Sequence, residues 1–225
     1  MKILVTGFGG FVSAHLLDCL DSMNQPIEII GISRSPKSVG TYKNLTVHVH
    51  CFDLKQVTNT NEVIRDARPD YIIHLASDSS VASSWKNPVQ SFQNNTNIFL
   101  NLVEAVRVNN VKCRILSIGS SEEYGVVSED KLPLKEDDIL NPISPYAVAR
   151  VSQELISTVY HKGYGLDIIK TRSFNHIGPG QRDKFVISSF AKQIVTAKKN
   201  NSKDPILTGN LKIIRDFLDV RDVVK

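Results

Sequence analysis

Tyr146 and Arg150 stand four residues apart in Asn141 to Arg150, NPISPYAVAR, and Ser120 follows the apolar run Arg114 to Gly119, RILSIG. Four residues are one helical turn, so a phenol and a fixed cation share a helix face. Ser144 and Pro145 read as the N-cap and first residue of that helix. Tyr146 then sits in the first turn, where the helix dipole favours a negative oxygen. A free phenol ionises near pH ~10, so proton exchange near neutrality calls for such a cation. A hydroxyl donor, a phenol and a cation suit carbonyl reduction: hydride reaches carbon, the proton passes from Tyr146 to oxygen, and Ser120 donates a hydrogen bond to that oxygen. Each residue alone has an ordinary structural explanation; the set carries the reading.

Such chemistry needs a hydride carrier, and the start of the chain has the pattern to hold one. In MKILVTGFGGFVSAHLL, the strand-like run Ile3 to Val5 meets three glycines, and apolar residues then recur at helical spacing. Strand, tight turn and helix together place a pyrophosphate on free helix N-terminal amides. Gly7 supplies the turn, Gly10 allows close backbone approach, and Ser13 stands at the third small position. Gly7, Phe8, Gly10, Phe11 and Val12 are therefore candidate cofactor contacts. The strand Ile27 to Ile32 ends in Ser33-Arg34-Ser35 where an acidic residue would select NAD. A cation flanked by hydroxyls suits a 2′-phosphate, so NADP(H) is favoured and NAD(H) stays possible.

Further strands are expected at Val47 to Phe52, Tyr71 to Leu75 and Leu166 to Thr171, with helices at Asn61 to Ala67, Phe92 to Val108 and from Pro145 to near Gly163 or Gly165. This alternation predicts a doubly wound, mainly parallel α/β sheet. Ligands of such sheets bind at the C-terminal strand edge, which makes Asp53, Leu54, Leu75, Ala76 and Ser77 candidate cofactor contacts. His48 and His50 share a strand face without a third ligand nearby, so no metal site is expected. The apolar helices 92 to 108 and 145 to 159 carry more apolar residues than one sheet face needs, which points to a homodimer.

With 225 residues, 41% of them hydrophobic, the chain can bury a full core. The net charge of +4 is mild, and Lys198-Lys199 has no interleaved aromatics. A nucleic-acid partner is therefore not expected. Cys19, Cys51 and Cys113 are odd in number and far apart, which argues for a reducing, cytoplasmic setting. No segment has the length of a membrane span.

The motifs TGFGGF (Thr6 to Phe11), SSEEYG (Ser120 to Gly125), NPISPYAVAR, RSFNHIGPGQ (Arg172 to Gln181) and RDFLDVRDVV (Arg215 to Val224) cover nearly the whole chain. Together they resemble the extended short-chain dehydrogenases/reductases of the nucleotide-sugar type. The resemblance implies a Rossmann domain over residues 1–173, a smaller, partial substrate-binding region over 174–214, and a return to the first domain at 215–225. It makes Ser120 and Tyr146 catalytic, and assigns Ser121, Glu122, Asn175 and Arg215 to a nucleotide-sugar substrate, Asn175 and Arg215 at its phosphates. Arg215 as a surface partner of Asp216 or Asp219 is the alternative. Reduction of a 4-keto-6-deoxy sugar linked to GDP is implied first, with 4,6-dehydration of GDP-mannose second because Glu122 stands where dehydratases carry a proton-transferring glutamate. A non-catalytic NAD(P)-binding protein is the third reading. Arg150 occupies the place of the family's ribose-binding Lys, and Arg is bulkier than an ammonium. It is therefore expected to weaken turnover, and Lys there to raise it. Family members also run on further, so a truncated chain, or a site closed by a partner, is expected.

Overall fold

Ile3, Leu4 and Val5 are all buried in strand β1 (Lys2–Thr6), as a strand with neighbours on both edges and covered faces requires. The computed structural model describes residues 1–225. After β1 come helix α1 (Phe11–Ser22), strands β2 (Ile27–Ser33) and β3 (Leu45–Cys51), helix α2 (Val57–Ala67) and strand β4 (Tyr71–His74). Short helices α3 (Val81–Lys86) and α4 (Pro88–Phe92) precede a π-helical turn, Gln93–Asn97, and helix α5 (Ile98–Val108). Strand β5 (Arg114–Ile118), helix α6 (Pro145–Tyr164) and strand β6 (Asp167–Thr171) complete the main body. The six strands form one parallel sheet in the order β3-β2-β1-β4-β5-β6. The chain changes direction across the sheet between β1 and β4, and the crevice at their C-terminal ends is where such sheets take ligands.

Alternate residues of each strand feed two cores. Leu4, Ile30, Ile72 and Ile115 face α2, α5 and Tyr160 of α6, while Ile3, Val5, Ile27 and Ile29 face α1. The sheet is thus covered by helices on both faces, as the alternating pattern predicts.

Ser144 caps α6 by accepting the Ala147 N–H at 3.1 Å, Pro145 opens the helix, and Gly165 ends it at φ +72°. The helical segment expected from Phe92 begins earlier, at Pro88, and widens into the π turn. There Asn95 is fully buried: its Oδ1 accepts the Asp78 N–H at 3.2 Å and its Nδ2 donates to the Ser91 carbonyl at 2.7 Å. Thr96 Oγ1 donates to the Ala149 carbonyl of α6 at 2.9 Å. The wide turn therefore ties the loop after β4 to α6, a common setting for π turns near functional sites.

Beyond β6 the chain forms strand β7 (Asn175–Ile177), helix α7 (Val186–Lys199), strand β8 (Phe217–Asp219) and a short helix, α8 (Val220–Val223). β7 and β8 pair in parallel as a separate two-stranded sheet. In the segment RDFLDVRDVV, Phe217 to Asp219 extend beside β7, and Asp219 caps α8 by accepting the Arg221 N–H. His48 and His50 lie exposed on the edge strand β3. No helix is long and apolar enough to cross a membrane.

Candidate active site

The glycine loop folds as its sequence demands. Gly7 has φ +68°, and a Cβ there would lie 2.8 Å from the Ala76 amide nitrogen, so the loop can approach the β4 end only without a side chain. Gly10 starts α1 in extended conformation with no side chain capping the helix, which leaves its first amides free for an anion. Ser13 is buried, and its Oγ accepts the Gly9 N–H at 3.3 Å, so the third small position also pins the loop. Thr6 Oγ1 accepts the Ala76 N–H at 3.1 Å and bonds His74 Nδ1 at 2.9 Å, joining the ends of β1 and β4. Burial, with Arg150 adding to it, holds the His74 ring neutral by pushing its pKa down to about 3. Phe11 and Val12 open α1 beside the loop, and Leu75, Ala76 and Ser77 are partly exposed at its rim.

Three of the expected cofactor contacts face inward instead. Phe8 is buried against Gly31, and its N–H donates to the Ile32 carbonyl at 3.0 Å, so it is a core residue. Leu54 is buried and its carbonyl accepts from Asn101 at 2.9 Å. Ser33 Oγ donates to the Ser35 carbonyl at 2.8 Å and shapes the turn. Asp53 is partly exposed and accepts the Lys55 N–H at 2.9 Å. Arg34 is exposed directly after β2. Lys37 was not foreseen: its aliphatic chain lies where a Cβ on Gly9 would be, so a second cation crosses the glycine loop. A lysine in a polar loop carries no spacing signal that would single it out.

Tyr146 and Arg150 share a buried face of α6, as their spacing requires. Arg150 Nε donates to Tyr146 Oη at 3.2 Å, and its Nη1 donates to Gln153 Oε1 at 2.7 Å and to the Ile118 carbonyl at 3.1 Å. Gln153 in turn donates to Ser117 Oγ at 2.8 Å and to the Ile118 carbonyl at 3.1 Å. Arg150 is therefore not an ill-fitted stand-in for Lys. Its planar fork matches acceptors that a single ammonium cannot reach together.

Ser120 begins the 3₁₀ turn after β5. Its Oγ accepts the Glu122 N–H at 3.3 Å, which leaves the hydroxyl proton free to donate. Ser121 and Glu122 are partly exposed in the same turn. Glu123 is fully buried, and its Oε1 accepts the Ser120 N–H at 2.6 Å. Burial, with Glu154 adding to it, pushes the Glu123 carboxyl up to about 7. Glu154 on α6 is held down to about 2 by its paired bonds from Arg172, at 2.9 Å each.

Asn175 and Arg215 sit apart from this cluster, at the start of β7 and before β8. Asn175 Nδ2 donates to the Asp216 carbonyl at 2.9 Å. Arg215 is exposed and bonds only the Ile214 carbonyl, while Asp219 pairs with Arg221. The strand end reaches α1 through Gly178, where a Cβ would lie 3.6 Å from Phe11 Cζ, and through His15 Nε2, 2.9 Å from the Pro179 carbonyl.

Arg150→Lys is expected to leave Gln153 Oε1 without its donor, while the Ile118 carbonyl keeps its bond from Gln153. Urea unfolding should then show a loss of about 1–3 kcal/mol. Unchanged stability would mean that the guanidinium bonds contribute nothing.

The family described as GDP-mannose 4,6 dehydratase matches residues 4–225. The chain is 32% identical over 223 residues to GDP-6-deoxy-D-mannose reductase of Pseudomonas aeruginosa, spanning 99% of this chain and 68% of the relative. It is 29% identical to GDP-mannose 4,6-dehydratase of Yersinia enterocolitica, spanning 100% of this chain and 62% of the relative. The chain thus spans roughly two thirds of the length of these relatives. The solved structure of RMD from Pseudomonas aeruginosa complexed with NADPH superposes with a TM-score of 0.85 at 33% identity, covering 99% of this chain and 70% of that one. UDP-glucose 4-epimerase from Thermotoga maritima with UDP-glucose superposes at 0.84 with 28% identity, covering 100% and 71%. The chain belongs to the GDP-mannose 4,6-dehydratase-like family of nucleotide-sugar reductases, dehydratases and epimerases.

Proposed function

We propose that the chain binds NADP(H) and reduces the 4-keto group of a 6-deoxy sugar linked to GDP, converting GDP-4-keto-6-deoxy-D-mannose to GDP-D-rhamnose. The observation that carries this reading is the bond from Arg150 Nε to Tyr146 Oη, at the sheet edge where Ser120 keeps a free hydroxyl proton. Ser120 donates to the substrate carbonyl oxygen. Tyr146 gives that oxygen its proton, and Arg150 stabilises the charge left on the phenol. Glu122 orients the sugar beside Ser120, and Asn175 and Arg215 hold its phosphates, Arg215 through its forked donors.

The residues present fit the cofactor: the uncapped start of α1 and the side-chain-free cradle at Gly7 suit a pyrophosphate. Arg34 and Lys37 beside that loop suit a 2′-phosphate. When bound, the cofactor supplies the hydride. Relatives include a reductase solved with NADPH. A dehydratase is the second reading, favoured by Glu122 beside Ser120 and by the Yersinia relative.

Tyr146→Phe should lower the rate of NADPH-dependent reduction of GDP-4-keto-6-deoxymannose, followed at 340 nm, by about 100-fold or more while cofactor binding persists. Wild-type turnover in that variant would remove Tyr146 as proton donor. Conversion of GDP-mannose with NADP⁺, and no reduction of the keto sugar, would establish the dehydratase instead.

Arg34→Ala should weaken NADPH binding by roughly 10–100-fold, the range for one charged hydrogen bond, and leave NADH binding nearly unchanged. Calorimetric titrations giving equal losses for both cofactors would rule out a 2′-phosphate contact.

We also propose a homodimer through α4, α5 and α6. Val148, Leu155 and Val159 form an exposed stripe on α6, with Val89 and Leu100 exposed on the neighbouring helices. Light scattering should give twice the chain mass, and Leu155→Glu should halve it. A monomer at high micromolar concentration would refute this.

A further inference from the structure

Glu123 is a fully buried acid in the turn that carries Ser120, and the reduction described above makes no use of it. Its Oε1 holds the Ser120 amide at 2.6 Å. The carboxyl also occupies the space beside Gly119, where a Cβ would lie 2.5 Å from Oε1. Its other oxygen, Oε2, is buried and meets no donor. The acid that acts on this carboxyl is Glu154 of α6, itself bonded by Arg172 and Lys170. Two carboxylate oxygens that face each other away from water need a proton between them. The remaining groups around the pair are Arg150 on α6, Lys170 on β6, 3.3 Å from Glu154 Oε1, Arg172 after β6, and the Tyr124 ring, which stacks 4.9 Å from the Arg172 guanidinium. Arg172 holds Glu154 through Nε and Nη2, with its Nη1 buried and without a partner, and Arg150 is spent on Tyr146, Gln153 and the Ile118 carbonyl.

We propose that Glu123 is a positioning residue that works as a neutral acid, sharing the proton on Oε2 with Glu154 while Oε1 fixes the backbone of Ser120. The inference rests on the reading of Ser120 as the donor to the substrate carbonyl. Losing the proton sets a buried carboxylate against that of the partly buried Glu154, which drives the turn away from α6 and takes the Ser120 hydroxyl off the sheet edge. The pair's burial agrees in direction, since it raises the Glu123 carboxyl toward neutrality while Arg172 holds Glu154 ionised. A carboxyl raised in the fold stabilises the protein below its unfolded pKa, and that contribution is lost as pH rises through the folded value. The relevant window therefore lies between pH 4.5 and neutrality and just above it.

The test compares wild type with Glu123→Gln and Glu123→Leu. Gln keeps the acceptor for Ser120 and a donor for Glu154 at every pH. From pH 4.5 to 7.5 the thermal midpoint of wild type should fall relative to that of Glu123→Gln, since all other titrating groups are common to both. With the keto sugar, kcat of wild type should fall above neutrality, and Gln should extend the plateau to higher pH. Leu should lower kcat by about tenfold with KM within about twofold, the loss expected for one positioning hydrogen bond. Parallel stability curves for wild type and Gln would overturn the shared proton. Wild-type kcat in the Leu variant would overturn the positioning role. Where Leu does not fold, the Gln curves decide. Where no form reduces the sugar, the activity reading fails, and the stability curves still decide the proton.

Discussion

The guanidinium of Arg150 is the tie on which the site depends. It leaves α6 on one side through Tyr146 and Gln153 and reaches the last carbonyl of β5, at Ile118, on the other. The turn with Ser120 follows that carbonyl directly, and residues 119–144 run as a long connection before α6 begins. A connection of that length cannot by itself hold a hydroxyl and a phenol in register. A planar cation with donors at fixed angles can, because its bonds to strand and helix are made together. The cost is a buried charge, which the bonds to Tyr146, Gln153 and the Ile118 carbonyl offset. Buried ions of this kind contribute more to geometry than to stability.

The elements that organise the sheet were legible because their signals are long or chemically specific. The ILV and IEIIGI runs could only be strands covered on both faces, and Ser144-Pro145 marks a helix start that the capping bond from Ala147 matches. Shorter or subtler elements left no such mark. β7 and β8 are three residues each, below the length at which alternation is readable. The π turn at Gln93–Asn97 keeps helical dihedrals on both sides and only slips the apolar phase, so a continuous helix was the natural reading. In the site, residue type told less than direction. Phe8, Leu54 and Ser33 stand at the right strand ends but turn into the protein, a choice made by packing against Gly31 and by the Ser33–Ser35 turn.

Glu123 shows the same limit from the other side. An acid next to another acid in SSEEYG reads as solvated, since carboxylates are rarely buried unless paired. Its signal is the spacing Ser120-x-x-Glu123, the pattern of a reciprocal helix cap, in which the glutamate reaches back to the first residue's amide. The pattern was readable, but its meaning depends on α6 passing over the turn with Glu154 in place.

Packing divides the molecule unevenly, and the division matters for how a substrate would be held. The two cores draw on all the main helices but not on α7, which has no buried residue. The segment beyond β6 leans on the main body at a few points: Val220, fully buried, Gly178 against it, and Pro179 against His15. His15 and Phe11 belong to the first turns of α1, directly after the glycine loop. The segment carrying Asn175 and Arg215 therefore rests on the helix end that would receive the pyrophosphate. Regions with few buried contacts open at lower free energy than cores do. A ligand that orders the start of α1 thus firms the platform under the proposed phosphate contacts of the substrate, which gives a physical route for cofactor binding to precede and assist substrate binding.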